Sequence, residues 1–288
     1  MIKNQVLGTA QFGLNYYGVS NFEKRKKDID IYPILDKAFE SGIRYFDTAP
    51  GYKSEKILGN FIKTNNLAKN VKIITKVPTL GHNNKNFSSK IRKSIENSLN
   101  NLKVEKIFCL LMHDQLDITK VEKEKSFLFK IKKDYNIKNF GFSVYDLKFA
   151  KYILRIFPDA SLQFPYNFLN DAFQNLKNNG NLFFGRSIFC QGFLINSKIK
   201  NIKKKIKLSH EKYFKFLHEN NIDPIELCLD FAYSNKHLNY IIYGVRNIDE
   251  LKKIINYKDK QKIDKKLINK AKLYFKGQNI DPRTWSSK

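Results

Sequence analysis

The chain has 288 residues, 42% hydrophobic and 14% aromatic, with 53 Lys and Arg against 27 Asp and Glu and a formal net charge of +26. That apolar content supports a sizeable core and excludes wholesale disorder, while the lack of any run of 18 apolar residues excludes a membrane-spanning helix. The charge excess is nearly all lysine, spread from end to end and densest over residues 198–207, so it reads as solvated surface and does not make nucleic acid the main partner.

The opening MIKNQVLGTAQFG has neither the apolar region nor the small-residue cleavage site of a signal peptide, so the chain is expected to stay in the cytoplasm. Strand-like apolar runs then alternate with segments of helical spacing. Strands are predicted over residues 6–9, 43–47, 72–77, 107–112, 139–143, 160–164, 182–187 and 240–243. Ile34, Ala38 and Phe39 share one helical face; Ile57, Leu58, Phe61 and Ile62 share a second; Ile91, Ile95, Leu99 and Leu102 share a third. Further helices are predicted over 119–135, 145–157, 209–220, 224–233, 248–256 and 264–276. Cys109, Cys190 and Cys228 lie far apart in apolar runs without metal-ligand spacing, so buried reduced thiols are expected and no metal site.

Short buried strands alternating with helices of ten or more residues indicate parallel βα units. Eight of them, with no sign of a second domain, predict an α/β fold of the (β/α)8 TIM-barrel type. The barrel is expected to occupy residues 1–288 as a single domain, with a C-terminal helix and tail at about 264–288. An open doubly wound sheet is the competing fold, but the glycines of GTAQFGLNYYG lack the dinucleotide-binding spacing.

In a barrel, chemistry collects at the C-terminal strand ends. Asp47 closes the second predicted strand, Tyr52 follows on its loop, Lys76 ends the third and His113 caps the fourth. Each alone has an ordinary structural reading as a cap, a wall residue or a satisfied polar group. Lys76 is the exception, because a lysine among Ile73, Ile74 and Val77 needs a partner. Asp47, one strand away, can supply it.

These segments resemble the aldo-keto reductase superfamily along nearly the whole chain. LGTAQFG is similar to the family's first strand and loop, and GIRYFDTAPGYKSEKILG resembles its Asp-Thr-Ala-x-x-Tyr-x-x-Glu segment closely. IITKV carries the lysine and LLMHD the histidine. The resemblance implies that Asp47, Tyr52, Lys76 and His113 form a catalytic tetrad for reducing an aldehyde or ketone to an alcohol. Tyr52 would be the general acid, with Lys76 lowering its pKa, Asp47 holding Lys76, and His113 orienting the carbonyl.

The resemblance also implies an extended nicotinamide cofactor, NADP(H) with NAD(H) as the alternative. Its binding residues would be Thr9, Ser143, Gln163, Arg186, Ser187, Gly244 and Arg246. Ser143 and Gln163 resemble residues that hold the carboxamide, although Val144 stands where the family often has Asn. Asn167 resembles a structural neighbour, and Gly192 and Leu194 continue the Arg186-Ser187 segment. Glu250 and Ile254 depart from the residues usual near a ribose phosphate, and Arg246 could compensate.

The small-molecule carbonyl substrate would be met by residues 14–21, 82–87 and the tail near Trp285, with Phe12, Tyr16 and Tyr17 as aromatic walls. A wide, open pocket would favour sugar-like or polar carbonyls. Two other readings keep the barrel: a Schiff-base lyase using Lys76, and a nicotinamide-binding regulatory subunit with little turnover. A basic nucleic-acid-binding module is the last alternative.

Overall fold

In a computed structural model describing residues 4–14, 28–80, 86–199, 202–257 and 263–282, the predicted alternation closes on itself. The strands are β1 (Asn4–Gly8), β2 (Tyr45–Asp47), β3 (Lys72–Val77), β4 (Ile107–Met112), β5 (Ile137–Ser143), β6 (Ser161–Pro165), β7 (Phe183–Arg186) and β8 (Tyr240–Tyr243). Each pairs in parallel with the next, and β8 pairs with β1, giving a closed eight-stranded barrel. The helices are α1 (Ala10–Gly13), α2 (Asp28–Glu40), α3 (Glu55–Thr64), α4 (Phe87–Leu102), α5 (Ile118–Lys123), α6 (Lys125–Asp134), α7 (Leu147–Ile156), α8 (Lys204–Glu219), α9 (Pro224–Ser234), α10 (Ile248–Asn256) and α11 (Lys265–Leu273).

Among the described residues the barrel departs from a plain alternation at several connections: helix pairs α1 with α2, α5 with α6 and α8 with α9 join β1 to β2, β4 to β5 and β7 to β8, and turns alone join β6 to β7. Among the described residues no helix is long and apolar enough to cross a membrane. All three cysteines are free and buried, as expected, and burial pushes the Cys109 thiol up to about 12.

Side chains alternate between the two faces of a strand, so every second residue enters the barrel. Val6, Ile74, Cys109, Leu111, Phe184, Tyr240 and Ile242, joined by Phe108 against Tyr45 and Tyr240, form a cluster distinct from the larger core beneath the helices. At its lower end Tyr45 packs on Tyr240 with ring centroids 4.9 Å apart, and Tyr240 stacks on Phe184 at 4.7 Å. Two residues further along the same faces stand Asp47, Lys76, His113 and Arg186, so the parity that fills the lower barrel also delivers polar groups to its mouth.

Two glycines permit this geometry. A Cβ on Gly141 of β5 would collide with the Ser161 backbone carbonyl of β6. One on Gly13 would strike the Tyr52 carbonyl, so the end of α1 packs directly against the backbone that carries Tyr52.

Candidate active site

The Asp47 strand end is held by a buried hydroxyl network. Thr9 Oγ1 donates to the Asp47 carbonyl at 3.0 Å and lies 2.8 Å from Ser54 Oγ; Thr48 Oγ1 lies 3.1 Å from the same Ser54 oxygen. Thr9 is fully buried and engaged in this network, which makes it a structural pin for the loop. Glu55 begins α3 beneath it and accepts from Thr75 Oγ1 at 2.8 Å.

Between these supports, Pro50–Tyr52 forms a single 3-10 turn that ends on Lys53 in the left-handed region (φ 59°). The turn carries Tyr52 back over the barrel mouth. Lys76 is 1% exposed and donates to Asp47 Oδ1 (2.8 Å), Asp47 Oδ2 (2.9 Å) and the Thr48 carbonyl (2.9 Å). An ammonium has three N–H groups, and all three are used. Lys76 therefore meets Tyr52 through space, its Nζ 4.9 Å from the ring centroid.

The expected lowering of the Tyr52 pKa is not what this environment produces. Burial pushes the phenol well above its ordinary value, Asp47 pushes it the same way, and Arg186 opposes both. Desolvation is the largest influence, and Tyr52 keeps its proton throughout the neutral range, so it meets the reaction as a neutral phenol.

His113 follows β4, with its ring perpendicular to that of Tyr52 and the centroids 6.1 Å apart. Burial first, then Lys76 and Arg186, lower its pKa to about 4, so the imidazole is neutral at neutral pH. Unfolded, it takes a proton near the ordinary imidazole value of about 6.5. Between these values the unfolded chain binds more protons than the folded one, so stability rises with pH over that window and falls as pH drops through it. Urea unfolding at stepped pH is expected to show a shallower rise for His113→Asn than for the natural chain. Identical slopes would remove this assignment.

Gln163 enters from the far side of the barrel, and its Nε2 donates to Asp47 Oδ1 at 2.7 Å. Asp47 thus accepts from a lysine on β3 and an amide on β6. Gln163 Oε1 is buried and has no partner among the described residues. Ser143 at the end of β5 is in register with Gln163, and Val144 is fully buried beside them. Asn167 is structural, as expected: its side chain donates to the Ser187 carbonyl and accepts from the backbone N–H groups of Leu169 and Asn170, each at 3.0 Å.

A groove of about 70 Å³ leads away from Asp47 and Tyr52, past Arg186, Ser187 and Gly192, to Gly244, Arg246 and Glu250. Thr9 does not line it. Ser187, Cys190 and Gln191 all have positive φ (55°, 47° and 54°) without being glycine. Such strain persists only where the surroundings fix it, and it clusters at functional loops. Leu194, further along, is core. At the outer end Arg246 and Glu250 pair with each other: Glu250 Oε1 accepts from Arg246 Nε at 2.6 Å, and Glu250 Oε2 from the Arg246 backbone N–H at 2.7 Å. Ile254 is buried in α10.

Beyond Arg186 the mouth continues into a cleft of about 710 Å³ under the C-terminal segment. Sequence reasoning missed Tyr145, whose ring lies 4.2 Å from the Arg186 guanidinium carbon, and it missed Thr48 as a lysine acceptor. Tyr145 stands two residues after Ser143 on the same strand parity, the one signal that could have found it. Phe12 is buried in the core. Tyr16, Tyr17, residues 81–85 and Trp285 lie outside the described residues.

The comparisons with known proteins agree with this fold. The sequence matches the Aldo/keto reductase family over residues 6–272. Among solved structures it is similar to the glycerol dehydrogenase of Gluconobacter oxydans, at 20% identity and a TM-score of 0.71, covering 97% of this chain and 94% of that one. It is also similar to an aldo-keto reductase of Bacillus halodurans in its holo form, at 17% identity and a TM-score of 0.75, covering 93% and 91%. A search of the curated proteins found no match. The match spans most of the chain and the barrel is the expected one; this chain belongs to the aldo/keto reductase family.

Proposed function

We propose that this oxidoreductase reduces an aldehyde or ketone to an alcohol with a nicotinamide cofactor, and that Tyr52 delivers the proton. The observation that carries the reading is the Asp47–Lys76 pair seated against the Tyr52 ring, with neutral His113 on its edge.

The residues present fit a nicotinamide cofactor. Gln163 Oε1 is a buried acceptor suited to a carboxamide N–H₂, and Ser143 adjoins it. Gly8, Gly192 and Gly244 line the groove, and a Cβ on Gly244 would come within 2.6 Å of Gln11 Oε1, itself buried and without a partner among the described residues. The groove is narrower than a dinucleotide, so Gln11 and the Cys190–Gly192 turn would move aside on binding. When bound, the reduced nicotinamide supplies hydride for the carbonyl carbon.

The remaining chemistry belongs to the chain. Negative charge grows on the carbonyl oxygen, and Tyr52 Oη holds the proton that neutralises it. Transfer is downhill even for a phenol of raised pKa, because an alkoxide is a much stronger base than a phenolate. His113 donates one ring N–H to the same oxygen and fixes its direction, which a neutral imidazole can do. Asp47 and Lys76 hold a compact dipole beneath the phenol, and Gln163 fixes the carboxylate. Assay of aldehydes, keto-sugars and aromatic carbonyls with both reduced cofactors tests this; tight cofactor binding without turnover of any carbonyl would favour the regulatory reading.

The cofactor is NADP(H) or NAD(H), and the Arg246–Glu250 pair bears on the choice. A carboxylate engaged on the guanidinium competes with a ribose phosphate for the same donors. Glu250→Gln is expected to improve the NADPH dissociation constant relative to that of NADH by about 3–10-fold; Arg246→Ala is expected to shift the ratio the other way. An unchanged ratio in both variants would show that this pair does not read the adenosine end.

A further inference from the structure

Arg186 occupies the junction of the cofactor groove and the large cleft and lines both. Its guanidinium lies over the Tyr145 ring, and Nη1 is 3.5 Å from Ser187 Oγ. Nη2 is buried and has no partner among the described residues, and no carboxylate there pairs with the side chain. Lys272, on the opposite wall, is neutralised by Asp171 at 2.6 Å. A buried cationic N–H without an acceptor is costly, and proteins keep such groups mainly where a ligand uses them.

A second buried group on the same cleft has the opposite character. Gln278 donates through Nε2 to Ser209 Oγ at 2.6 Å, while its Oε1 is buried without a partner among the described residues. The cleft therefore offers a cationic donor next to the chemistry and a neutral acceptor further out. Its volume is within the usual range for small-molecule sites and far exceeds the needs of a short aldehyde.

We propose that Arg186 is the anchor for an anionic group on the substrate: the preferred carbonyl carries a carboxylate or phosphate and a hydroxyl-bearing body that extends into the cleft toward Gln278. This rests on the reductase reading above and names the substrate class for it. Arg186 and Tyr52 line the same groove, so an anion bound at Arg186 sits beside the reacting carbonyl.

The test compares twin substrates in steady-state reduction by the full-length protein: D-glucuronate against D-glucose, and glyceraldehyde 3-phosphate against glyceraldehyde. The natural chain is expected to favour the anionic member of at least one pair by about 10–100-fold in kcat/KM, the range of a charge-assisted contact. The pair that shows the preference identifies the oxyanion. Arg186→Gln should collapse the ratio toward one, and Arg186→Lys should retain part of it. The ratio is taken within each variant, so a general loss of active protein does not alter it. Equal kcat/KM for both members of both pairs would overturn the proposal and leave the reductase reading standing. A ratio unchanged in Arg186→Gln, with weakened cofactor binding, would overturn it in favour of a cofactor phosphate contact. No turnover of any carbonyl with either cofactor would overturn the reductase reading and this proposal together.

Discussion

Tyr52→Phe is expected to lower kcat for carbonyl reduction by about 10²–10⁴-fold, the contribution of a positioned proton donor. The cofactor dissociation constant should stay within about twofold, because the phenol oxygen is not among the atoms assigned to hold the cofactor. The substitution removes one oxygen and leaves the ring, so the contact with Lys76 at 4.9 Å and the edge contact with His113 survive. Stability should change little, since no hydrogen bond within the described residues anchors that hydroxyl to the fold. A variant with natural turnover would dismiss Tyr52 as the acid. A variant that also lost cofactor would point to a positioning role.

Lys76→Met should have the largest effect on stability, about 3–5 kcal/mol. Removing the ammonium leaves Asp47 buried, 4% exposed, with the Gln163 amide as its one side-chain donor among the described residues. It also strips the Thr48 carbonyl of its side-chain donor. An uncompensated buried charge costs more than the intact pair contributes, so the double variant Asp47→Asn, Lys76→Met should be more stable than Lys76→Met alone. Urea unfolding of the two single variants and the double variant gives the coupling directly. Additive losses would mean that the pair does not act as a unit. Activity should fall in all three, because the dipole beneath Tyr52 is gone in each.

Much of the fold was legible because buried strands are apolar on both faces. The bounds of β3, β4 and β8 agree with the sequence reading. β2 begins two residues later than predicted, although the Arg44 carbonyl still accepts from the Lys72 N–H at 2.7 Å, while the Arg44 side chain donates to the carbonyls of Phe39 and Ile43. The helix predicted over 119–135 is two helices, broken at Glu124 (φ −115°, ψ 31°), where no glycine or proline gives notice. α8 begins at Lys204, earlier than expected. Ile206 and His210 are buried on the same face as Tyr213 and Leu217, and the lysines around them disguised a helix start as a linker.

The candidate site was legible where it follows strand parity. Asp47, Lys76 and His113 each stand two residues beyond an interior neighbour, and a charged residue in such a row has few other places to point. Contacts that depend on closure of the barrel were not legible. Gln163 and Asp47 are 116 positions apart and meet only because opposite strands face one another. The direction of the Tyr52 shift was misjudged because pairwise charge was visible in the sequence and the extent of burial was not. Arg246 lies just before the Asn247 cap of α10 and Glu250 in its first turn, and their pairing is a local contact at the helix start.

The most direct test of the central claim follows the hydride itself. The protein is incubated with a carbonyl substrate and a reduced nicotinamide cofactor deuterated at the transferable position, and the alcohol is analysed by mass spectrometry. The account predicts one deuterium on the carbinol carbon with the natural chain, formed about 10²-fold or more slowly with Tyr52→Phe. Alcohol without the label, or no alcohol from a protein saturated with cofactor, would contradict it.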